Sequence, residues 1–149
     1  MNSINKKWEL VKTVLPQHTD HAGVMWHGSY LDLLEEGRID ALYKVGLSYS
    51  ELSKKGFEIP VISAQLKYKI SFIHGEKVLL SSRFKLENKI RLNCKTYFLK
   101  PNGDIGAEAI IGLVVVRKMN DSIKIVREVP EQIKNKLILL EDGPKLMIE

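Results

Sequence analysis

From residue 62 onward, apolar and polar side chains alternate with a period of two. That period marks strands with one buried face. Ile62, Ala64, Leu66, Tyr68 and Ile70 share a face, with Gln65, Lys67 and Lys69 opposite. Val78, Leu80, Ser82, Phe84 and Leu86 repeat the pattern against Ser81, Arg83 and Lys85. Ile90, Leu92, Cys94, Thr96 and Phe98 form a third run, and Ile105, Ala107, Ala109, Ile111, Leu113 and Val115 a fourth. The fourth run is apolar at Ile110, Val114 and Val116 as well, so cover on both faces is expected, by the core and by a partner subunit. Turn residues separate the runs at His74-Gly75-Glu76, at Glu87-Asn88 and from Lys100 to Asp104. The second half therefore predicts an antiparallel meander. An earlier strand is expected from Trp8 to Leu15, ending before Pro16.

The period changes between residues 29 and 46. Tyr30, Leu34, Gly37, Ala41 and Val45 fall on one helical stripe, which Leu31, Ile39 and Leu42 widen. Ser29 is the expected N-cap, Asp32 lies in the first turn, and Gly46 closes the helix. Gly37 and Ala41 are small enough for close approach to a sheet. A shorter helix is expected from Ser48 to Lys55, closed by Gly56, and an amphipathic turn from Glu131 to Leu137. The order is strand, long helix, then strands, which predicts an α+β fold with the helix packed on a curved antiparallel sheet. With 149 residues and no repeat or linker, one domain spanning 1–149 is expected.

Composition narrows the class. At 44% hydrophobic the chain is expected to fold, not to be disordered. Cys94 is the sole cysteine, which excludes an intrachain disulfide and fits a reducing compartment. No apolar run approaches a membrane span, and Met1 to Lys7 lacks the core of a signal peptide, so a cytoplasmic protein without membrane attachment is expected. The net charge is +5, and Ala64 to Lys100 holds nine basic residues against two acids. Such a stretch can attract phosphate or be a solvated sheet face. Its aromatics fall largely on the apolar side of the alternation and read as core, so nucleic acid is not an expected partner.

The chemistry concentrates in His18–Arg38, HTDHAGVMWHGSYLDLLEEGR. Asp20 lies in a loop just before the long helix, seven residues before His27. N–H groups at a helix start lack intrahelical partners and can polarise a carbonyl. A carboxylate held beside them can attack that carbonyl or deprotonate water. Each residue also has a plainer role. Asp20 can close a turn, Glu35 and Arg38 can form an i,i+3 ion pair, and Trp26 and Tyr30 can pack or line an aromatic pocket. His18, Asp20, His21 and His27 could hold zinc, although no His-Glu-x-x-His or cysteine pair accompanies them. No phosphate-binding glycine loop or nucleophile elbow is present, and no cofactor is called for.

The run Asp20, Gly23, Val24-Met25, Trp26, His27, Tyr30, Glu35, Arg38 resembles the acyl-CoA thioesterases of the 4-hydroxybenzoyl-CoA thioesterase family, of hot-dog fold. A looser match follows from Pro60 to Val78, through Tyr68, Phe72-Ile73 and Gly75-Glu76. The resemblance implies hydrolysis of a short aliphatic or aromatic acyl-CoA. It implies Asp20 as nucleophile or general base, and the N–H near His27 as the group that polarises the thioester. The His27 side chain would position water or substrate. Gly23, Trp26 and Tyr30 would border the substrate, with Glu35 and Arg38 in support. It also implies a site between subunits of a homodimer or homotetramer, with the basic stretch near the CoA phosphates. His18 and Ser71 depart from the residues common at their positions. Two rivals stand beside this reading: a non-catalytic acyl-CoA binder, and a metal hydrolase using the histidines.

Overall fold

The computed structural model describes residues 6–144. Strand β1 (Trp8–Thr13) leads through a 3₁₀ turn (Pro16–His18) and a loop into α1 (Ser29–Lys44). After α2 (Tyr49–Lys54) come β2 (Phe57–Glu58), β3 (Val61–Tyr68), β4 (Lys77–Glu87), β5 (Arg91–Leu99) and β6 (Ile105–Val114). The hairpin β7 (Val116–Met119) and β8 (Ser122–Ile125) precedes α3 (Glu131–Asp142). A five-stranded sheet runs β1-β4-β5-β6-β3, every neighbour antiparallel, and a small sheet runs β2-β7-β8. This is the expected α+β architecture.

In β4, β5 and β6 the alternation placed the apolar side chains on the buried face, although Ser81, expected outside, is buried too. Leu80 and Phe84 of β4, Leu92, Cys94 and Phe98 of β5, and Ala107, Ala109, Ile111 and Leu113 of β6 are all buried. Removing each large one from water contributes about 1.5–3 kcal/mol. The order of strands is the first correction. The meander holds for β4, β5 and β6, but β3 crosses to the far edge and pairs with β6, Tyr68 facing Ala107 and Ala64 facing Ile111. β1 takes the place beside β4, Trp8 facing Ser82. Alternation specifies which face a strand buries and is silent about its neighbour.

As an edge strand, β3 is almost wholly exposed; Val61, Ile62 and Tyr68 are 45%, 51% and 52% accessible. Its expected apolar face is therefore uncovered within one chain. In the fourth run, Val114, Val115 and Val116 are buried by the chain itself, where β6 passes into β7, while Ile110 stays exposed.

Helix α1 buries Tyr30, Leu33, Leu34, Gly37, Arg38, Ala41 and Leu42. A Cβ built on Gly37 would lie 3.4 Å from Leu80 Cδ1, so the close approach to the sheet occurs there. Leu31 and Ile39 do not widen the buried stripe and are exposed; Leu33 and Arg38 do so instead. Leu33 lies between Tyr30 and Gly37 on the stripe, whereas Leu31 and Ile39, two turns apart, run along the flank. Arg38 makes no ion pair with Glu35, which is exposed; its Nε–H donates to Tyr49 Oη at 3.2 Å. The final helix extends beyond Leu137 to Asp142, because Leu140 is also buried and its carbonyl accepts the Trp8 indole N–H at 2.8 Å.

Candidate active site

The loop between β1 and α1 is held at nearly every residue. The Asp20 N–H donates to Val24 O and the Gly23 N–H to Asp20 O, with Gly23 at φ +81°. Few side-chain-bearing residues adopt that angle, so a glycine closes this turn. The Met25 N–H donates to Phe72 O at 2.7 Å, and the Trp26 N–H to His18 O at 2.8 Å. The Ser29 hydroxyl donates to the same His18 carbonyl at 2.9 Å. Ser29 is thus not the N-cap. Gly28 occupies that position and no side chain caps the helix. A Cβ on Gly28 would fall inside the Trp26 ring, which lies against the loop.

These bonds leave a particular set of groups unpaired. Among the described residues, no intramolecular acceptor takes the N–H of His27 or of Gly28. One oxygen of Asp20, Oδ1, accepts the Ala22 N–H at 2.8 Å, as in an ordinary turn. No such bond engages Oδ2 among the described residues, and Asp20 lines an open cavity of about 270 Å³. Met25, His27, Tyr30, Tyr68, Lys69, Ile70 and Ser71 form the rest of that wall. Asp20 and His27, which carries an unpaired N–H, therefore border one space at the start of a 16-residue helix. Such a space can hold a carbonyl against the donors while the carboxylate attacks it or activates water.

Two aromatic residues, Tyr30 and Tyr68, contribute to the cavity wall. The Tyr30 ring meets Tyr68, Phe98 and Phe72 edge-on, with centroids 4.9, 5.1 and 6.4 Å away. Burial, with smaller contributions from Tyr68 and Glu76, pushes the Tyr30 hydroxyl up to about 12. It therefore stays protonated near neutrality and is no candidate base. Below the cavity, Lys100 Nζ donates to Ser71 O at 2.6 Å and to Glu76 Oε1 at 2.8 Å, and lies 4.6 Å from the Phe72 ring centroid. Partial burial opposes charge on Glu76, but the bonds from Lys100 and from the Ile73 N–H outweigh it and lower its pKa.

Of the residues singled out by sequence, Asp20, His27 and Tyr30 converge on the cavity. Gly23 shapes the turn behind Asp20, and Trp26, 50% exposed, stacks on the His27 ring and covers Gly28 without lining the cavity. Glu35 and Arg38 lie further along α1 and do not border it. Gly28, Tyr68 and Ser71 were missed. A glycine directly before the helix was a usable signal for the first; the others depend on β3 crossing the sheet. The histidines do not gather a metal set. His18 Nδ1 accepts the Leu15 N–H at 2.9 Å, and no group of three or more His, Cys, Asp or Glu among the described residues could hold an ion. Much of the basic stretch is engaged locally: Lys69 pairs with Glu108 at 2.9 Å, and Lys77 Nζ bonds the Thr13 hydroxyl at 2.6 Å. No helix is long and apolar enough to cross a membrane among the described residues.

Comparison with known proteins bears on the fold and the reaction class. A Synechocystis protein provisionally named an esterase is 28% identical over 142 residues, covering 94% of this chain and 84% of its own. A Bacillus subtilis protein provisionally named an acyl-CoA thioesterase is 27% identical over 100 residues, covering 67% of this chain and 72% of its own. The crystal structure of a 1,4-dihydroxy-2-naphthoyl-CoA thioesterase from Synechocystis superposes with a TM-score of 0.81 at 19% identity, over 93% of this chain and 99% of that one. The thioesterase-like superfamily matches residues 14–137, from the end of the first strand into the last helix. The chain belongs to that superfamily and is a thioester hydrolase of hot-dog fold.

Proposed function

We propose that the chain hydrolyses an acyl-CoA with a short aliphatic or aromatic acyl group, using Asp20 and the backbone N–H of His27. The observation that carries this is that Asp20 and His27, whose N–H is unpaired among the described residues, line one cavity. The thioester carbonyl accepts from the His27 N–H, which stabilises the negative charge its oxygen gains. Asp20 then attacks the carbonyl carbon, or takes a proton from water that attacks it. The carbon–sulfur bond breaks, the thiolate leaves as CoA after protonation, and water supplies the oxygen of the free acid. The His27 side chain, exposed beside the cavity, orients that water or the ester.

Two further features support the reading. The half-exposed Tyr68 ring, set edge-on against the buried Tyr30 ring in the cavity wall, offers an aromatic surface to a planar acyl group. The superposed Synechocystis enzyme acts on a naphthoyl-CoA ester. The open edge of β3, with Val61, Ile62, Tyr68 and Ile70 exposed, supports assembly as a homodimer or homotetramer that closes the cavity. Free thiol release from a panel of aliphatic and aromatic acyl-CoAs, with and without chelator, tests the proposal. Turnover indifferent to chelator is expected. Tight binding of the esters with no turnover would instead identify a binding protein.

A further inference from the structure

The two unpaired N–H groups belong to peptide units whose carbonyls are both pinned. The His27 N–H shares its peptide with the Trp26 carbonyl, which accepts the Ser29 N–H at 2.9 Å. The Gly28 N–H shares its peptide with the His27 carbonyl, which accepts the Tyr68 hydroxyl at 3.2 Å. A trans peptide is planar, with C=O and N–H pointing opposite ways. Fixing a carbonyl therefore fixes the N–H behind it. The first carbonyl is held by the helix itself. Among the described residues, the second is held only by a side chain 41 positions away, on an edge strand.

Tyr68 is placed to do this. Gly106 O accepts both the Lys69 N–H at 2.8 Å and the Ile70 N–H at 2.9 Å, which clamps the end of β3 to β6. Gly106 can sit so close because it lacks a Cβ. One built there would fall inside the Phe72 ring and 3.1 Å from Ile70 O. On its other side, the Tyr68 ring rests against Tyr30 at 79°, and Tyr30 is itself buried against Phe98 and Phe72. The ring is thereby oriented from two directions, and its hydroxyl bridges the sheet edge to His27, just ahead of α1.

We infer that Tyr68 is a positioning residue, whose hydroxyl pins the His27 carbonyl and so holds His27 from its helix side, keeping its N–H aimed at the ester carbonyl in the cavity that both residues line. It contributes no proton and touches no reacting atom. The inference rests on the proposed use of the His27 N–H as the carbonyl-polarising donor, and adds that the edge strand helps set its aim. Donors of this kind act through prior alignment, so a small rotation of the peptide weakens them in the transition state more than in the bound ester.

Tyr68→Phe keeps the ring, its packing on Tyr30 and the fold, and removes only the hydroxyl. Its kcat is expected to fall between about tenfold and a hundredfold with KM within about twofold. Asp20→Asn, run beside it, tests the parent reading separately: if that variant keeps full activity the Asp20 mechanism fails, whatever Tyr68→Phe does. A second readout needs no turnover. The backbone amide resonances of His27 and Gly28 should move in Tyr68→Phe, while those at the start of α2 stay in place. Unchanged kcat, a rise in KM alone, or unmoved His27 and Gly28 resonances would overturn the inference.

Discussion

The chain builds two helix starts in opposite ways. Helix α2 has only six residues, yet Ser48 caps it, its Oγ accepting the Glu51 N–H at 3.2 Å. Helix α1 has sixteen residues and no side-chain cap, although a serine stands at its first position. The Ser29 hydroxyl turns to His18 O, which fixes the incoming loop and leaves the helix donors open. The far end of α1 is closed conventionally: Gly46 and Leu47 N–H groups return to Tyr43 O and Leu42 O, and Lys136 Nζ reaches Gly46 O at 3.0 Å. The difference teaches that the open start is a local feature of the cavity end. A capping side chain at position 28 would stabilise the helix by about 1 kcal/mol, but it would have to displace the Trp26 ring that lies against Gly28.

The sharpest way to break the comparison is to keep the open helix start and remove the charge opposite it. Asn at position 20 can still accept the Ala22 N–H through its amide oxygen, so the turn survives. Thiol release by Asp20→Asn should fall by about 10²–10⁴-fold, with little change in Tm.

A smaller effect is expected at Gly28. Ala there must displace the Trp26 ring, disturbing the start of α1 while Asp20 stays in place. A loss in kcat of about tenfold is expected, partly recovered in Gly28→Ala with Trp26→Ala, since the second change makes room. A double-mutant cycle on kcat measures this; strict additivity would show that the ring contact is not the cause.

These two residues also mark how far the sequence could be read. Asp20 stood out because a carboxylate before a predicted helix has an evident use. The facing of β4 and β5 and the bounds of α2, with Ser48 before it and Gly56 after, follow from local rules and were legible. Gly28 was overlooked, because its requirement comes from the Trp26 ring folding back over it. Ser29 was misread as a cap, because capping preference is local and His18 O competes from eleven residues away. Tyr68 was read as one apolar strand position among several, since nothing in the alternation brings β3 to the edge by α1. Leu31 and Ile39 share that origin: periodicity marks apolar flanks and does not say whether this chain or another covers them.

Support beneath the cavity should show in pH dependence. Glu76 has a lowered pKa in the folded protein. Its pairing with Lys100 therefore adds stability that is present above the ordinary carboxylate range and lost as the pH falls through the lowered value. Lys100→Met, which also frees Ser71 O, should lower Tm by about 2–8 °C at pH 7 and by less in acid. A pH-independent difference would assign the effect to the lost Ser71 bond and the packing on Phe72, not to Glu76. The smallest functional effect is expected at the capped helix. Ser48→Ala should cost about 1 kcal/mol of stability in urea unfolding and leave kcat unchanged. A matching fall in kcat would mean that the two helix starts are not functionally distinct.

The account's central claim is that the cavity at the start of α1 turns over thioesters through Asp20, and does more than hold them. The direct measurement is to titrate wild type and Asp20→Asn with the best ester of the panel, following heat of binding and free thiol in the same samples. The account predicts that both proteins bind the ester with Kd values within a few-fold, and that only the wild type releases CoA at a sustained rate. Equal rates of thiol release from the two proteins would contradict it.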